Sequence, residues 1–401
     1  MDSAAPTPAH VPRRLVRDVD VFNLPGAEHD VHLAWRRLQQ ECPEIFWTPR
    51  NGGHWIATRA DDIEAMQLDH ERFSMAALSI PRTEPRSMPA IPISLDPPHH
   101  WPFRKLMQPA FLPRAVDRLE DGVRATAIRL IEGLAPQGRC EFVGDFATRL
   151  PVTVFMEMMD LPVADMERLR PLAEAATRSP DVAERRSASG AMAQYVMAYV
   201  RERREAPGDD LISFVGQGEV EGRPISFEET LSMVVLLMFG GLDTVASMLG
   251  FVARFLAESP AHRRQLIDEP ALIPNAVDEL IRRHGLVNTA RLVTEDHDYK
   301  GVALRKGDQV QLPNGLAGLD ERRFDDPLAV DFHRERPIRH AAFGNGPHTC
   351  PGAVLARREL KVFLEEWLPR IPDFRVEPGR EPQFAVGMVN TVTVLPLVWA
   401  A

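Results

Sequence analysis

The segment FGNGPHTCPG, residues 343–352, carries the residue types best suited to chemistry. Its cysteine comes just before a helical pattern, so exposed amides and the helix dipole would stabilise a thiolate there. A thiolate held in this way can ligate iron. Glycines permit backbone conformations closed to other residues, which lets the loop pass close to a flat ligand. The positions that define the motif are Phe343, Gly344, Gly346, His348, Cys350 and Gly352.

A second signal is the segment GGLDT, residues 240–244, inside a long apolar run. A glycine in a helix costs about 1 kcal/mol relative to alanine, so two in succession indicate that another group approaches the helix closely. Asp243 and Thr244 pair an acid with an alcohol, which suits proton transfer. The alternative is a helix kinked by glycine, with the threonine hydroxyl bonded back to a carbonyl.

Two further pairs have helical spacing. His100 and Arg104 stand four residues apart and share one helix face, where they could hold a carboxylate. Glu279 and Arg282 stand three apart and are predicted to form an ion pair that braces the structure rather than taking part in chemistry.

The elements that position these residues are predicted to be mostly helical, with short strands in minor sheets. A long helix is expected from about residue 226 to residue 258, another over 274–284, and a third after the cysteine motif. Residues 79–94 contain several prolines and are predicted to form an irregular loop that could act as a lid. Residues 1–25 are expected to be an arm on the surface, and residues 26–401 a single domain.

Composition excludes several classes of protein. A net charge of −10 disfavours nucleic-acid binding, because phosphate neutralisation needs a basic surface. The three cysteines are far apart, which argues against a disulfide scaffold and predicts structural roles for Cys42 and Cys140. The longest apolar run, residues 233–242, is well short of the roughly 20 residues that span a membrane. The expectation is a cytoplasmic protein without a membrane anchor.

With these motifs the sequence resembles the cytochrome P-450 haem-thiolate monooxygenases, most closely the bacterial camphor-hydroxylase branch. The matching segments are PISLDPP, FMEMMDLP, GGLDT, LPNGLAGLDER, HAAFGNGPHTCPG, LARREL and RIPDF. The resemblance implies a mainly α fold shaped as a triangular prism. It also implies heme b, iron protoporphyrin IX, ligated by Cys350 between the long distal helix and the helix after the cysteine loop. One oxygen atom from dioxygen would then be inserted into a substrate, with two electrons supplied by another protein.

The resemblance assigns roles to individual residues. It places Asp243 and Thr244 in proton delivery to dioxygen, Gly240 beside the haem, and Ala329 where a third partner of Glu279 and Arg282 is usual. The haem propionates would be held by His100, Arg104, Arg291 and His348. The substrate pocket would include Met88, Leu236, Phe239 and Val287. Met88 replaces a hydrogen-bonding tyrosine of the camphor-binding relatives, so a terpenoid or norisoprenoid such as an ionone is expected instead.

Electrons must come from other proteins, because the chain has no GxGxxG motif or cluster of four cysteines. The resemblance implies a [2Fe–2S] ferredoxin reduced by an NAD(P)H-dependent flavoprotein, with Arg104 near the docking face and Trp101 where relatives carry a basic residue. Three alternatives stay open at this point. They are a haem-thiolate gas or redox sensor without turnover, a peroxide-driven peroxygenase, and a haem-free cysteine hydrolase that uses Cys350 and His348.

Overall fold

A computed structural model describes residues 4–83 and 89–400 of the chain. Helices dominate this part, as the sequence predicts. They are α1 Val31–Glu41, α2 Ala60–Leu68, α3 His100–Met107, α4 Pro113–Asp117, α5 Glu120–Leu134, α6 Arg149–Met158, α7 Met166–Arg178, α8 Val182–Glu205, α9 Leu211–Gly216, α10 Phe227–Glu258, α11 Pro260–Asp268, α12 Ile273–Arg283, α13 Asn314–Gly318 and α14 Ala353–Arg370.

The strands are short and form small sheets. They are β1 Ile45–Thr48, β2 His54–Ala57, β3 Phe73–Ser74, β4 Arg139–Glu141, β5 Glu219–Val220, β6 Arg223–Pro224, β7 Asn288–Val293, β8 His297–Tyr299, β9 Val302–Leu304, β10 Gln309–Pro313, β11 Phe374–Val376, β12 Gln383–Ala385, β13 Thr391–Val394 and β14 Pro396–Trp399. One sheet has the order β1-β2-β10-β7-β3 and another the order β11-β14-β4. The remaining strands form the pairs β12–β13, β5–β6 and β8–β9.

Helix α10 is the central element of the fold, and its start is fixed by local chemistry. The Ser226 side chain accepts from the Glu229 amide and the Glu229 side chain accepts from the Ser226 amide, which forms a capping box. The helix is long and apolar enough to cross a membrane, but 67% of its most apolar window is buried inside the protein. It packs against α6, α7 and α8 and is a core helix.

The amino-terminal segment differs from the prediction of a surface arm. Val11, Leu15, Val21 and Leu24 are buried in a hydrophobic core that includes the five-stranded sheet. The segment is also joined to β1 by backbone pairing, since Val16 forms a bridge with Trp47. The apolar residues lie between arginines and prolines without a regular period, so the pattern that would reveal their burial is missing from the sequence.

Candidate active site

The cysteine loop is closed by backbone geometry. The Cys350 amide donates to the Phe343 carbonyl at 2.8 Å, and α14 begins three residues after the cysteine with Gly352 as its N-cap. Gly344 and Gly346 have φ values of +69° and +70°, which other residues rarely adopt. A Cβ at Gly346 would also lie 3.2 Å from the Gln67 carbonyl oxygen of α2. The glycines are therefore required by the loop and by its packing on α2.

Burial raises the pKa of the Cys350 thiol, even though the Gly352 amide, Arg104 and Arg357 act in the opposite direction. The amide that favours the thiolate belongs to Gly352, the N-cap of α14, and ligation of iron by this sulfur stays a prediction. A metal ion that binds the sulfur has to displace the thiol proton. Arg357 is itself fixed near the loop, with its guanidinium 4.6 Å from the Phe343 ring centre and its Nε 2.6 Å from Asp278 Oδ1.

His100 and His348 lie together beside the loop. Their ring centres are 4.6 Å apart. His100 Nδ1 and both ring nitrogens of His348 are buried without a hydrogen-bond partner in the described residues. Burial, with help from His348 and Arg104, lowers the pKa of His100 to about 4. Buried ring nitrogens without partners indicate that these side chains face a ligand.

The two arginines predicted to bind propionates are close to these histidines. Arg104 donates to the Thr349 carbonyl at 2.5 Å, next to the cysteine. Arg291 is buried on β7, where burial lowers its pKa to about 10. Both arginines act electrostatically on His348, and the nearest acid to that ring is Asp96, whose Oδ1 is 3.8 Å from Nε2. Such an excess of buried positive charge fits an anionic group such as a pair of carboxylates.

Asp96 is a site residue that the sequence analysis missed. It accepts hydrogen bonds from the Ser74 hydroxyl and, at 3.0 Å, from the Met75 amide. Burial opposes its charge, but the nearby His348 imidazole and the hydrogen bonds from Ser74 and Met75 hold its pKa below the usual range. The sequence offered one signal for it, because Asp96 is the only acid in the PISLDPP segment that resembles the family. The structure places its carboxylate beside the His348 ring, 3.8 Å from Nε2.

The two glycines of α10 have different explanations. A Cβ at Gly240 would meet nothing within 4 Å, whereas a Cβ at Gly241 would lie 2.3 Å from the Phe155 ring of α6. Gly241 is therefore required by helix packing, which corrects the idea that both glycines make room for a ligand. Gly240 lies in a partly exposed stripe of an otherwise buried helix, with Leu236 and Thr244 one turn before and after it.

Thr244 and Asp243 are held in specific ways. Thr244 Oγ1 donates to the Gly240 carbonyl at 2.9 Å, so its remaining lone pairs can accept a hydrogen bond. This is the bond back to a carbonyl that the sequence analysis named as the alternative, and proton delivery to dioxygen by Thr244 stays a prediction. Asp243 is buried and pairs with the Arg178 guanidinium, and it also accepts from Thr177 Oγ1 at 3.1 Å. Arg178 is a partner that the sequence analysis did not identify.

A polar cavity of about 160 Å³ reaches Asp243 from the protein surface. Its polar lining includes Thr148, Arg170, Glu174, Arg178, Asp243 and Thr391. Glu174 is partly exposed, accepts from Arg170 at 2.6 Å and lies 3.9 Å from Arg178. A polar space of this size is large enough for several water molecules beside Asp243.

Glu279 and Arg282 form the predicted ion pair, with two bonds of 2.8 Å and no solvent exposure. The third partner differs from the prediction. Ala329 contributes only its backbone carbonyl, 2.7 Å from Arg282 Nη2, while Arg334 Nε donates to Glu279 Oε2 at 2.9 Å. The network therefore has three side chains, because Arg334 joins Glu279 and Arg282.

The predicted pocket residues are only partly brought together. Leu236 and Phe239 are on α10 and keep partial exposure in the same stretch as Gly240. Val287 is also partly exposed, just before β7, and forms a bridge with Val389. Met88 lies outside the described residues.

Comparisons with known proteins agree with this arrangement. The sequence profile of the family described as Cytochrome P-450 matches residues 177–386. A probable cytochrome P-450 127A1 of Sinorhizobium fredii is 36% identical over 404 residues, covering 98% of this chain and 97% of the relative. The mycinamicin IV hydroxylase/epoxidase of Micromonospora griseorubida is 34% identical, with 92% of this chain and 96% of the relative covered.

Solved structures give the same result. The crystal structure of CYP101J2 has a TM-score of 0.91 and 39% identity, covering 99% of this chain and all of the other. That of CYP101C1 has a TM-score of 0.90 and 42% identity, with 98% of this chain covered. The mainly α prism fold and the heme b cofactor predicted from the sequence are thereby confirmed. The chain belongs to the cytochrome P-450 family of haem-thiolate monooxygenases.

Proposed function

We propose that this monooxygenase hydroxylates a small apolar substrate, a terpenoid or norisoprenoid such as an ionone, in the cytoplasm. A [2Fe–2S] ferredoxin, reduced by an NAD(P)H-dependent flavoprotein, supplies the two electrons. The main support for this substrate class is that the apolar side chains of Leu236 and Phe239 are partly exposed on α10, close to Gly240. A pocket lined by such side chains, with few polar anchors, binds an apolar ligand, and the bulky Phe239 ring favours a small one.

The residues of the site fit a haem. Cys350 would hold the iron, and His100, Arg104, Arg291 and His348 would hold the two carboxylates. The unpartnered nitrogens of His100 and His348 and the open space at Gly240 support this assignment. When bound, the haem supplies the activation of dioxygen.

The side chains of α10 and α7 supply the protons. Thr244, fixed by its bond to the Gly240 carbonyl, accepts a hydrogen bond from a water molecule in the space beside Gly240. Asp243 takes up a proton on a carboxylate oxygen when Arg178 swings toward Glu174, which lies 3.9 Å away. Asp243 gives this proton up to the water held beside Gly240, and water in the polar cavity replaces it from solvent.

The ligation by sulfur is tested on the purified holoprotein. Reduced protein exposed to carbon monoxide is expected to show the red-shifted absorption band of a sulfur-ligated haem. Cys350→Ser should abolish the band, and Cys42→Ser should keep it, because Cys42 caps the end of α1 and is not part of the cysteine loop. A band that survives Cys350→Ser would refute the assignment of the ligand.

The substrate class is tested by titrating ionones, camphor and a long-chain fatty acid while recording the spin-state shift of the haem absorption. Ionones are expected to give the largest shift and to be hydroxylated when ferredoxin and reductase are present. The Phe239→Val variant should bind larger terpenoids, because it enlarges the apolar stretch next to Gly240. A shift with the fatty acid alone would reject the proposed class.

A further inference from the structure

One side chain of α10 holds a distant segment of the chain by its backbone. The Ser232 hydroxyl accepts a hydrogen bond from the Ile91 amide at 2.9 Å and donates one to the Pro89 carbonyl. Ile91 is 141 residues away in the sequence, and Ser232 is only 1% exposed. A single buried hydroxyl therefore satisfies one amide and one carbonyl of the segment Pro89–Ile91.

Ser232 lies in line with the proposed substrate pocket. Ser232, Leu236 and Gly240 follow one another at intervals of four residues, so they lie along one face of α10. Leu236 is partly exposed and Gly240 is exposed, whereas Ser232 is buried. This face therefore changes from open to covered between residues 236 and 232, and the segment bonded to Ser232 is part of what covers it.

Apolar packing joins the same segment to the pocket side of the helix. Ile91 is 6% exposed and belongs to the hydrophobic cluster that contains Leu231 and Val235 of α10. Leu95, four residues after Ile91, packs against this cluster, and so does Phe239, one of the proposed pocket residues. The segment and the bulky Phe239 ring are thus parts of one packed unit.

The far end of the segment is held independently of Ser232. The Ser94 amide donates to the Ala90 carbonyl at 2.8 Å, which closes a tight turn. The Asp96 carboxylate, just beyond that turn, accepts from the Ser74 hydroxyl. Loss of the Ser232 hydroxyl would therefore release the Pro89–Ile91 end and leave the Asp96 end in place.

We infer that Ser232 is a positioning residue that sets the length of the substrate pocket. By holding Pro89–Ile91 against α10, it closes the end of the face that carries Leu236 and favours short apolar substrates over long ones. This inference deepens the proposed function and rests on it, because it places the pocket along α10. Without the hydroxyl, a buried amide and a buried carbonyl lose their partner, and this cost drives the segment away from the helix toward water.

The test uses the haem-loaded protein and two imidazoles that coordinate the haem iron, one with a phenyl group and one with a longer biphenyl group. Their dissociation constants are read from the shift of the haem absorption band, which needs no turnover and no natural substrate. Ser232→Ala should lower the ratio of the long to the short ligand's dissociation constant about 10-fold, because the opened end admits the biphenyl group. Ser232→Cys keeps the shape but has a weaker donor, so it should lower the ratio less.

Thr230→Val is the matched control. It removes a fully buried hydroxyl from the same helix, but that hydroxyl donates to the Ser226 carbonyl at 2.8 Å, within α10 itself. The ratio should stay unchanged in this variant. An equal fall in Thr230→Val and Ser232→Ala would overturn the inference, since loosened packing of α10 would then explain both.

The remaining outcomes separate a structural role from a positioning role. An unchanged ratio in Ser232→Ala, even with lower thermal stability, would show that Ser232 only supports the fold and would overturn the inference. If Ser232→Ala does not retain haem, the ratio in Ser232→Cys decides in the same way. If ionones give no spin-state shift while the ratio of the imidazoles falls as expected, the proposed substrate class is wrong and the role of Ser232 stands.

Discussion

The carboxylate of Asp243 is paired with the guanidinium of Arg178 at the inner end of a polar cavity. Asp243 is on α10 and Arg178 is the last residue of α7, so the pair joins the central helix to the surface of the fold. Both oxygens of Asp243 accept hydrogen bonds, one from Arg178 and one from Thr177. In the proposed relay Arg178 moves away before Asp243 takes up a proton, because the guanidinium favours the charged form of the carboxylate.

Asp243→Asn should slow product formation about 100-fold or more, because the amide keeps the shape of the side chain but cannot relay a proton. The measurement is turnover with ferredoxin and reductase, in ordinary and deuterated water, on variants with the same carbon monoxide band. Ser247→Ala is the control, since Ser247 Oγ lies 3.5 Å from the same carboxylate and should matter little. Normal turnover of Asp243→Asn would contradict the relay.

Thr244→Ala should reduce the amount of product formed per NAD(P)H oxidised, with hydrogen peroxide released instead. The hydroxyl that donates to the Gly240 carbonyl, and that holds water in the proposed relay, is then missing, while the electron supply is unaltered. Thr244→Ser keeps the hydroxyl and should restore most of the coupling. Equal coupling in the alanine and serine variants would show that the hydroxyl has no such role.

Gly241→Ala should destabilise the protein by about 1–3 kcal/mol, because the new methyl group overlaps the Phe155 ring. Gly240→Ala is the matched control, and without haem it should gain about 1 kcal/mol from better helix propensity. Urea unfolding of the haem-free variants measures both changes. Phe155→Ala in the Gly241→Ala background should recover part of the loss, and additive effects of the two substitutions would argue against the contact.

Arg334→Ala should lower the free energy of unfolding by about 1–3 kcal/mol, since it removes a donor from the fully buried Glu279 carboxylate. Arg336→Ala provides the comparison. Arg336 is 54% exposed and pairs with Asp278, so its loss should cost at most about 1 kcal/mol. Equal effects of the two substitutions would remove Arg334 from the network.

Glu359→Gln should stabilise the protein at neutral pH. Burial raises the pKa of Glu359 to about 8, above its ordinary value of 4.5. The native state therefore keeps the proton over a pH range in which the unfolded chain has lost it, so the stability contributed by this group falls as the pH rises from 4.5 to 8. The variant lacks this dependence, and its advantage should grow to about 3 kcal/mol at pH 7 and vanish at pH 4. A constant difference across this range would show that Glu359 is ionised in the folded protein.

The elements and motifs with local signals were predictable from the sequence. Helix α10 follows from its apolar run and capping residues, and the cysteine loop follows from its glycines. The partners of the charged residues were not predictable in the same way. Arg178 is 65 residues from Asp243 and Arg334 is 55 residues from Glu279, and the chain offers 47 lysines and arginines to choose from. Tertiary packing decides which of them meet.

The pairing of the amino-terminal segment with β1 has a further consequence. Strand β1 is at the edge of the five-stranded sheet, where unpaired amides and carbonyls could recruit a strand from another molecule. The bridge from Val16 to Trp47, in which the Arg17 amide donates to the Trp47 carbonyl at 2.9 Å, occupies part of that edge. Residues 11–24 therefore cover this edge as well as filling part of the core, and a chain without them would expose both unpaired backbone groups and apolar side chains to other molecules.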